Sequence, residues 1–307
     1  MNLRKRPEWI AILRNPISGN KRGKREILHL VRALQKMGRH VRLFSNRERL
    51  LSELLHEENL KTLKCLVVAG GDGTINDALN RYPRVPIAVF PTGTENLLAK
   101  HLGMPKSGAL AARIIAEGHL LEFDIPTANG RKFVLMASCG IDAEVVHLTH
   151  ARRTGHITKF SYLQPILASL RKYQYPVLRV IAEGIAEPYR GALLMAANFP
   201  CYALQFPFAR EASPFDGVLD LRLFEKGSRL STISYAISVL LGRHDRRKDV
   251  RCLQGRSFRI ESDVPVPLQL DGDPFGHTPV DLELGPDRAA LIVPENYFHQ
   301  TLARTQV

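Results

Sequence analysis

One stretch limits what this chain can fold into more than any other: Cys65-Leu66-Val67-Val68-Ala69-Gly70-Gly71-Asp72-Gly73-Thr74-Ile75-Asn76-Asp77-Ala78-Leu79. A short apolar run stops at two glycines, and a carboxylate, a third glycine and a hydroxyl follow. Residues 65–69 predict a parallel strand buried on both faces. Gly70 and Gly71 let the backbone turn sharply and let a ligand approach the main chain. Thr74 is the expected N-cap of a helix carrying Ile75, Ala78 and Leu79. Backbone N–H groups in such a turn, with the helix dipole behind them, make an anion site. Asp72 would repel phosphates unless a divalent cation lies between, or unless it takes a proton from an attacking hydroxyl. The plain alternative is a glycine-rich turn with a solvated aspartate.

Gly70-Gly71-Asp72-Gly73-Thr74 resembles the nucleotide-binding signature of the diacylglycerol kinase catalytic family, which includes sphingosine and ceramide kinases and bacterial lipid kinases. NAD kinases carry the same five residues. The resemblance implies phosphoryl transfer from a nucleotide without naming the acceptor.

Two further strand ends have the same character. Residues 9–13 are an apolar strand followed by Asn15-Pro16-Ile17-Ser18-Gly19, and residues 86–90 are a strand followed by Pro91-Thr92-Gly93-Thr94-Glu95-Asn96. In a parallel sheet all three loops fall on the carboxyl edge, where ligands bind. The lysine-rich segment from Gly19 to Arg25 is not a P-loop: its glycines are too close and no Ser or Thr follows to hold magnesium. The loops after the first and fourth strands also resemble lipid-kinase segments. By that resemblance Asn15, Ser18, Gly19, Ser45, Gly70, Gly71, Asp72, Gly73, Thr74 and Thr94 would hold ATP. The usual aspartate after Asn96 is Leu97 here, with Glu95 two residues earlier.

The alternation in the first third reads as strand and helix by turns: a helix with Ile27, Leu28, Val31 and Leu34 on one face, a strand at 41–45, a helix at 49–60, a helix at 107–118 and a strand at 120–126 holding Asp124. Beyond it come short strands bounded by Gly and Pro, at 132–137, 177–182, 189–196, 219–224, 258–261, 266–270, 280–284 and 289–293. Helical stretches at 142–150 and 157–173 interrupt them. The expected fold is an N-terminal doubly wound α/β nucleotide-binding domain, residues 1–125, followed by a β-rich sandwich domain, residues 126–307. The resemblance implies that the tail after Val293 packs back on the first domain.

Two carboxylate segments in the second part, and Asp124 just before it, are candidates for chemistry. Asp271-Gly272-Asp273 stands where the family has aspartate-glycine-glutamate, so the resemblance makes Asp273 the base, one methylene short, with Asp271 beside it if the strand persists; a turn at Gly272 would break that pairing, and a plain hairpin tip is the alternative. Ser213-Pro214-Phe215-Asp216-Gly217-Val218 resembles a turn that holds a structural magnesium through Asp216 and the carbonyls of Ser213 and Val218; an ordinary Asp-Gly hairpin turn fits equally. Asp124 reads either as part of a metal network or as a hinge residue satisfied by backbone N–H groups. Asp142 reads as an N-cap.

Composition bounds the partners. Lys plus Arg is 43 against 30 for Asp plus Glu, a net charge of +13. That excess favours a nucleotide or an acidic membrane surface. No zinc-finger spacing or RNA-recognition signature is present, so nucleic acid is not the expected partner. Cys65, Cys139, Cys201 and Cys252 are far apart and read as reduced, with neither disulfide frame nor zinc site. No run of eighteen or more apolar residues predicts a membrane span. The start, Met1 to Pro7, is basic but lacks the apolar core of a signal peptide. The expectation is a cytoplasmic enzyme, peripheral to a membrane, using ATP and Mg2+ on a lipid hydroxyl, with a homo-oligomer left open. A helix around 233–241 could dip into an interface, although a buried helix is the simpler reading. The alternatives are an NAD kinase-like enzyme acting on a soluble substrate, and a non-catalytic nucleotide- or membrane-binding regulator.

Overall fold

The computed structural model describes residues 8–15, 21–82, 84–152, 162–202 and 206–305. The chain divides into two units, residues 1–123 with 288–307, and residues 124–287.

The first unit is a three-layer α/β arrangement. Its strands are β1 (Trp9–Arg14), β2 (His40–Phe44), β3 (Leu63–Gly70), β4 (Ile87–Pro91) and β5 (Leu120–Asp124), joined late in the chain by β20 (Arg288–Ile292). They lie in the order β2-β1-β3-β4-β20-β5. The pairs β1/β2, β1/β3, β3/β4 and β4/β20 are all parallel. Every residue of β4, and β3 from Cys65 onward, is buried, as expected for strands covered on both faces. The helices are α1 (Lys21–Lys36), α2 (Arg47–Leu55), α3 (Glu57–Thr62), α4 (Asp72–Arg81), α5 (Leu97–His101), α6 (Gly108–Glu117) and, after β20, α10 (Glu295–Thr305).

Several sequence expectations are corrected here. The inward row of α1 is Ile27, Leu30 and Leu34, and Leu28 points to solvent. The single helix expected at 49–60 is two, because His56 adopts an extended conformation that ends α2 and starts α3. Leu50 and Leu54 anchor α2 in the core, whereas α3 buries no side chain and is held through Asn59, whose carbonyl accepts the Trp9 Nε1–H and whose side-chain amide donates to the Glu53 carbonyl. Residues 289–293, expected among the sandwich strands, run instead in the first sheet, where Leu291 and Ile292 pair with Ile87 and Ala88.

The second unit is an antiparallel sandwich-like arrangement. One sheet has the order β10-β9-β16-β19-β6-β7 and the other β15-β14-β11-β8-β17-β18. The chain visits β6 (Thr127–Ala128), β7 (Arg131–Lys132), β8 (Met136–Gly140), α7 (Ile141–Ala151), α8 (Leu163–Lys172), β9 (Leu178–Ala182), β10 (Tyr189–Gly191) and β11 (Leu193–Ala197). A small hairpin of β12 (Cys201–Tyr202) and β13 (Phe206–Pro207) follows, then β14 (Leu219–Phe224), α9 (Arg229–Leu240), β15 (Val250–Gly255) and β16 (Ser257–Glu261). The unit closes with β17 (Pro267–Leu270), β18 (Asp273–His277) and β19 (Val280–Glu283). Its core is one cluster drawn from both sheets, with Cys139, Leu194, Leu221 and Leu268 from one and Val180, Phe258, Ile260 and Leu282 from the other. The strand expected at 132–137 is split: Lys132 ends β7 and Met136 begins β8, and between them the amides of Val134 and Leu135 are taken by a carboxylate.

Candidate active site

The polar loops of the first unit gather at one sheet edge. β1, β3 and β4 run parallel, so the turns that follow them emerge side by side. Asn15 joins the first to the second: its N–H donates to the Ala69 carbonyl at 3.2 Å and its side-chain amide to Thr74 Oγ1 at 3.3 Å. The Thr92 N–H donates to the Gly70 carbonyl at 3.1 Å, joining the second to the third. Two glycine positions show how tight this is. A Cβ on Gly93 would stand 2.5 Å from Gly71 Cα, and a Cβ on Gly70 would stand 2.4 Å from Thr74 Cβ. No other residue fits either position without moving backbone or the helix start.

Asn96, absent from the expected site residues, closes the third loop. It adopts φ +51°, accepts from the Gly93 N–H and donates to the Gly93 carbonyl, each at 2.8 Å. Its signal was available: asparagine tolerates the left-handed region and caps helices. The helix-start expectation at Thr74 is corrected, since Gly71 is the N-cap of α4 and Thr74 lies buried inside the first turn.

Asp72 opens α4, yet its carboxylate serves the neighbouring helix. Oδ2 accepts the Leu97 N–H at 2.9 Å and Oδ1 the Leu98 N–H at 3.1 Å, so Asp72 caps α5 from outside. Burial pushes its pKa up, and the two backbone N–H groups oppose that shift. The Leu97 position therefore contributes its main chain to this contact. Ser45, exposed at the end of β2, accepts from Arg14 Nε at 2.7 Å. Arg14, like Lys100 beside Glu95, brings a cation to this unit's polar loops. Thr94 lies exposed in the third loop, and Gly73 in the first turn of α4. Ser18 and Gly19 lie outside the described residues.

The arrangement suits a triphosphate: glycines where backbone must come close, a helix start and two basic side chains. Among the described residues no group of three or more His, Cys, Asp or Glu side chains could hold a metal ion. A magnesium here would have Asp72 as its acidic neighbour. That carboxylate keeps acceptor capacity beyond its two N–H bonds.

In the second unit the Asp-Gly-Asp segment separates into two roles. Asp271 and Gly272, at φ +51° and +86°, form the two-residue turn between β17 and β18, and Leu270 pairs with Asp273. Asp271 folds back on the chain before β8. Its Oδ2 accepts the Val134 N–H at 2.7 Å, and its Oδ1 accepts those of Leu135 at 2.7 Å and Met136 at 3.0 Å. The expectation that Asp271 stands beside Asp273 as a base is thus corrected: the turn breaks the extended alternation and its carboxylate is spent on main chain. Asp273 begins β18 with its side chain 56% exposed, and its Oδ1 lies 3.6 Å from His150 Nε2 on α7. His150 was missed from sequence because its pairing spans the separation between α7 and a distant hairpin. Asp142 is not the N-cap of α7, which is Gly140; it accepts instead from the buried Ser138 hydroxyl.

Asp124 and the 213–220 turn are brought together. The Asp124 N–H donates to the Pro214 carbonyl at 2.8 Å, and its Oδ2 accepts the Gly217 N–H at 2.9 Å. Asp216 Oδ1 accepts the Val218 N–H at 3.1 Å. Burial, then the nearby charges of Asp220 and Asp124, push the Asp216 pKa up. Pro214, not Ser213, offers the carbonyl that Asp124 uses. The turn's own backbone donates to both carboxylates.

The matches to known proteins agree with this construction. Residues 10–128 match the diacylglycerol kinase catalytic domain family, and residues 136–293 match the YegS C-terminal NAD kinase beta sandwich-like domain family. The chain belongs to the diacylglycerol kinase catalytic family, with a YegS-type C-terminal domain, and so to a family of ATP-using lipid kinases. A diacylglycerol kinase of Staphylococcus carnosus (strain TM300) is 26% identical over 281 residues, covering 88% of this chain and 90% of the relative. One of Staphylococcus aureus (strain MRSA252) is 26% identical over 277 residues, covering 88% and 87%. A diacylglycerol kinase structure from Bacillus anthracis shares the fold at a TM-score of 0.68 and 18% identity, covering 94% of this chain and 98% of that one. An NAD kinase from Archaeoglobus fulgidus, solved with ATP, shares it at 0.56 and 14%, covering 97% and 98%.

Proposed function

We propose that the protein transfers the γ-phosphoryl group of ATP to the hydroxyl of a lipid of the diacylglycerol, phosphatidylglycerol or sphingoid class. The observation that carries this is the convergence of three strand ends in the first unit, locked by the Gly71–Gly93 approach, in a chain of lipid-kinase family. Asn15, Ser18, Gly19 and the 70–74 and 92–96 loops cradle the phosphates, and Arg14 and Lys100 offset their charge. Magnesium would neutralise charge building on the transferring group. Asp72 acts mainly by fixing the third loop against the second.

In the second unit Asp273 is the base. The lipid oxygen forms the new bond to phosphorus, the bond to the ADP oxygen breaks, and the hydroxyl proton passes to the Asp273 carboxylate. His150, 3.6 Å away, orients that carboxylate. A cation at the Asp216 turn, with Ser213, Val218 and Asp124 nearby, would be a structural support only.

Incubation with labelled ATP and magnesium tests the reading. Mixed micelles of diacylglycerol, phosphatidylglycerol or a sphingoid base should yield label in the organic phase, and NAD should yield none. Asp273→Ala should cut transfer by at least ~10²-fold, the range of a positioned base, while ATP binding persists. Label appearing on NAD would establish the soluble-substrate alternative. ATP binding with no transfer to any lipid would establish a non-catalytic regulator.

A further inference from the structure

Two helices of the second unit are built inside out. In α9, Tyr235 and Ser238 face the core, with Ser238 8% exposed. Leu230, Ile233, Ile237, Leu240 and the following Leu241 face solvent, Leu230 at 82% and Ile237 at 52%. These positions recur at three- and four-residue spacing and so form one stripe along the helix. The neighbouring α8 repeats the inversion: Ser169 is 2% exposed, while Leu163, Ile166 and Leu167 are exposed. The Arg229 guanidinium donates to the Arg171 carbonyl, and the Thr232 hydroxyl to the Tyr175 hydroxyl, tying α9 to the end of α8. The sequence expectation of a buried helix at 233–241 is therefore corrected. Isolated exposed leucines are ordinary on a protein surface, but a continuous stripe beside a second apolar face is not.

The ends of these helices are cationic. Arg171 and Lys172 close α8, Arg229 opens α9, and Arg243, Arg246 and Lys248 follow it. Among the described residues no acidic side chain forms a salt bridge with any of these six.

We propose that the α8–α9 face is a docking surface for an anionic lipid bilayer, its leucines and isoleucines entering the headgroup–acyl boundary and its basic ends resting on the charged headgroups. An apolar stripe with cationic flanks is the pattern of a helix lying in a membrane interface. A second copy of the chain suits the face poorly, since a two-fold contact would bring the same basic ends toward one another. Among the described residues no helix is long and apolar enough to cross a membrane. The proposal deepens the lipid-kinase reading and rests on it only for its purpose, not for its geometry.

Sedimentation of the full chain with vesicles, without ATP, tests the surface. Vesicles of phosphatidylcholine with one-third phosphatidylglycerol should bind it, and pure phosphatidylcholine should bind about fivefold more weakly for each basic residue engaged. Added salt should release it. The pair Ile237→Glu and Leu240→Glu should lower binding at least tenfold with an unchanged circular dichroism spectrum. Phosphorylation of a dispersed short-chain diacylglycerol by this variant should match wild type, while transfer to vesicle-embedded lipid falls. Equal binding by the variant, or equal binding to neutral and anionic vesicles, would overturn the proposal. So would a wild-type dimer that the variant dissolves, or salt-insensitive capture of an acidic protein in place of lipid. If wild type binds vesicles through this face yet phosphorylates no lipid, the kinase reading fails and the surface stands. If it phosphorylates lipid while the variant binds as wild type does, the surface fails and the kinase reading stands.

Discussion

Asp271→Ala should lower the free energy of unfolding by about 3–5 kcal/mol, at the extreme of what one substitution does. The reason is three main-chain donors. The amides of Val134, Leu135 and Met136 all end on this carboxylate, and the residues that own them are buried. Each donor left without an acceptor costs about 1–3 kcal/mol. Alanine also resists the left-handed conformation, φ +51°, that Asp271 adopts, at about 1 kcal/mol. Urea unfolding should show a lower midpoint at unchanged slope. Asp273→Ala, two residues on and largely exposed, should stay within about 0.5 kcal/mol of wild type. A matching loss at both positions would mean that the hairpin does not divide its aspartates in this way.

Asp72→Asn should reduce phosphotransfer by ~10²-fold or more, the size of loss that follows a displacement of about 1 Å at a reacting site. Asparagine presents one acceptor and one N–H₂ group to two main-chain donors, so either the Leu97 or the Leu98 N–H loses its partner. The third loop then loosens from the second, at about 1–3 kcal/mol of stability. The fold survives, but it is not left untouched. The pH dependence has a definite sign. Burial raises the Asp72 pKa, so its contribution to stability is full below the unfolded-state pKa and is lost as pH rises through the folded-state value. The charged form that caps α5 exists only above that folded value. On acidification Asp72 should therefore protonate before a solvated aspartate does, and activity should fall with it. Carboxyl-carbon NMR of the wild type, compared with Asp72→Asn, would assign the titration.

The strand-and-loop grammar of the first unit was legible because it is local. Buried strands announce themselves as apolar runs, and Gly70-Gly71, Gly93 and Asn15 sit at their ends. What was not legible is where side chains go once distant segments meet. Nothing near Asp72 in sequence says that its carboxylate belongs to a helix twenty-five residues away. Nothing near Asp271 says that it holds a segment one hundred and thirty-seven residues back. β20 is a short apolar run like the sandwich strands before it in the chain, and only its pairing with β4 assigns it to the first sheet. α9 misleads in another way, since its apolar stripe is read from sequence as a core face, and only the burial of Tyr235 and Ser238 shows which side faces inward.

Whether the turns after β1, β3 and β4 act as one nucleotide cradle can be read from amide hydrogen exchange of the full chain with and without ATP and magnesium. Amides in 70–75 and 92–98 should slow together on addition of nucleotide, with the Leu97 and Leu98 amides among them. Bound nucleotide that protects neither loop, or only one of them, would contradict a single cradle.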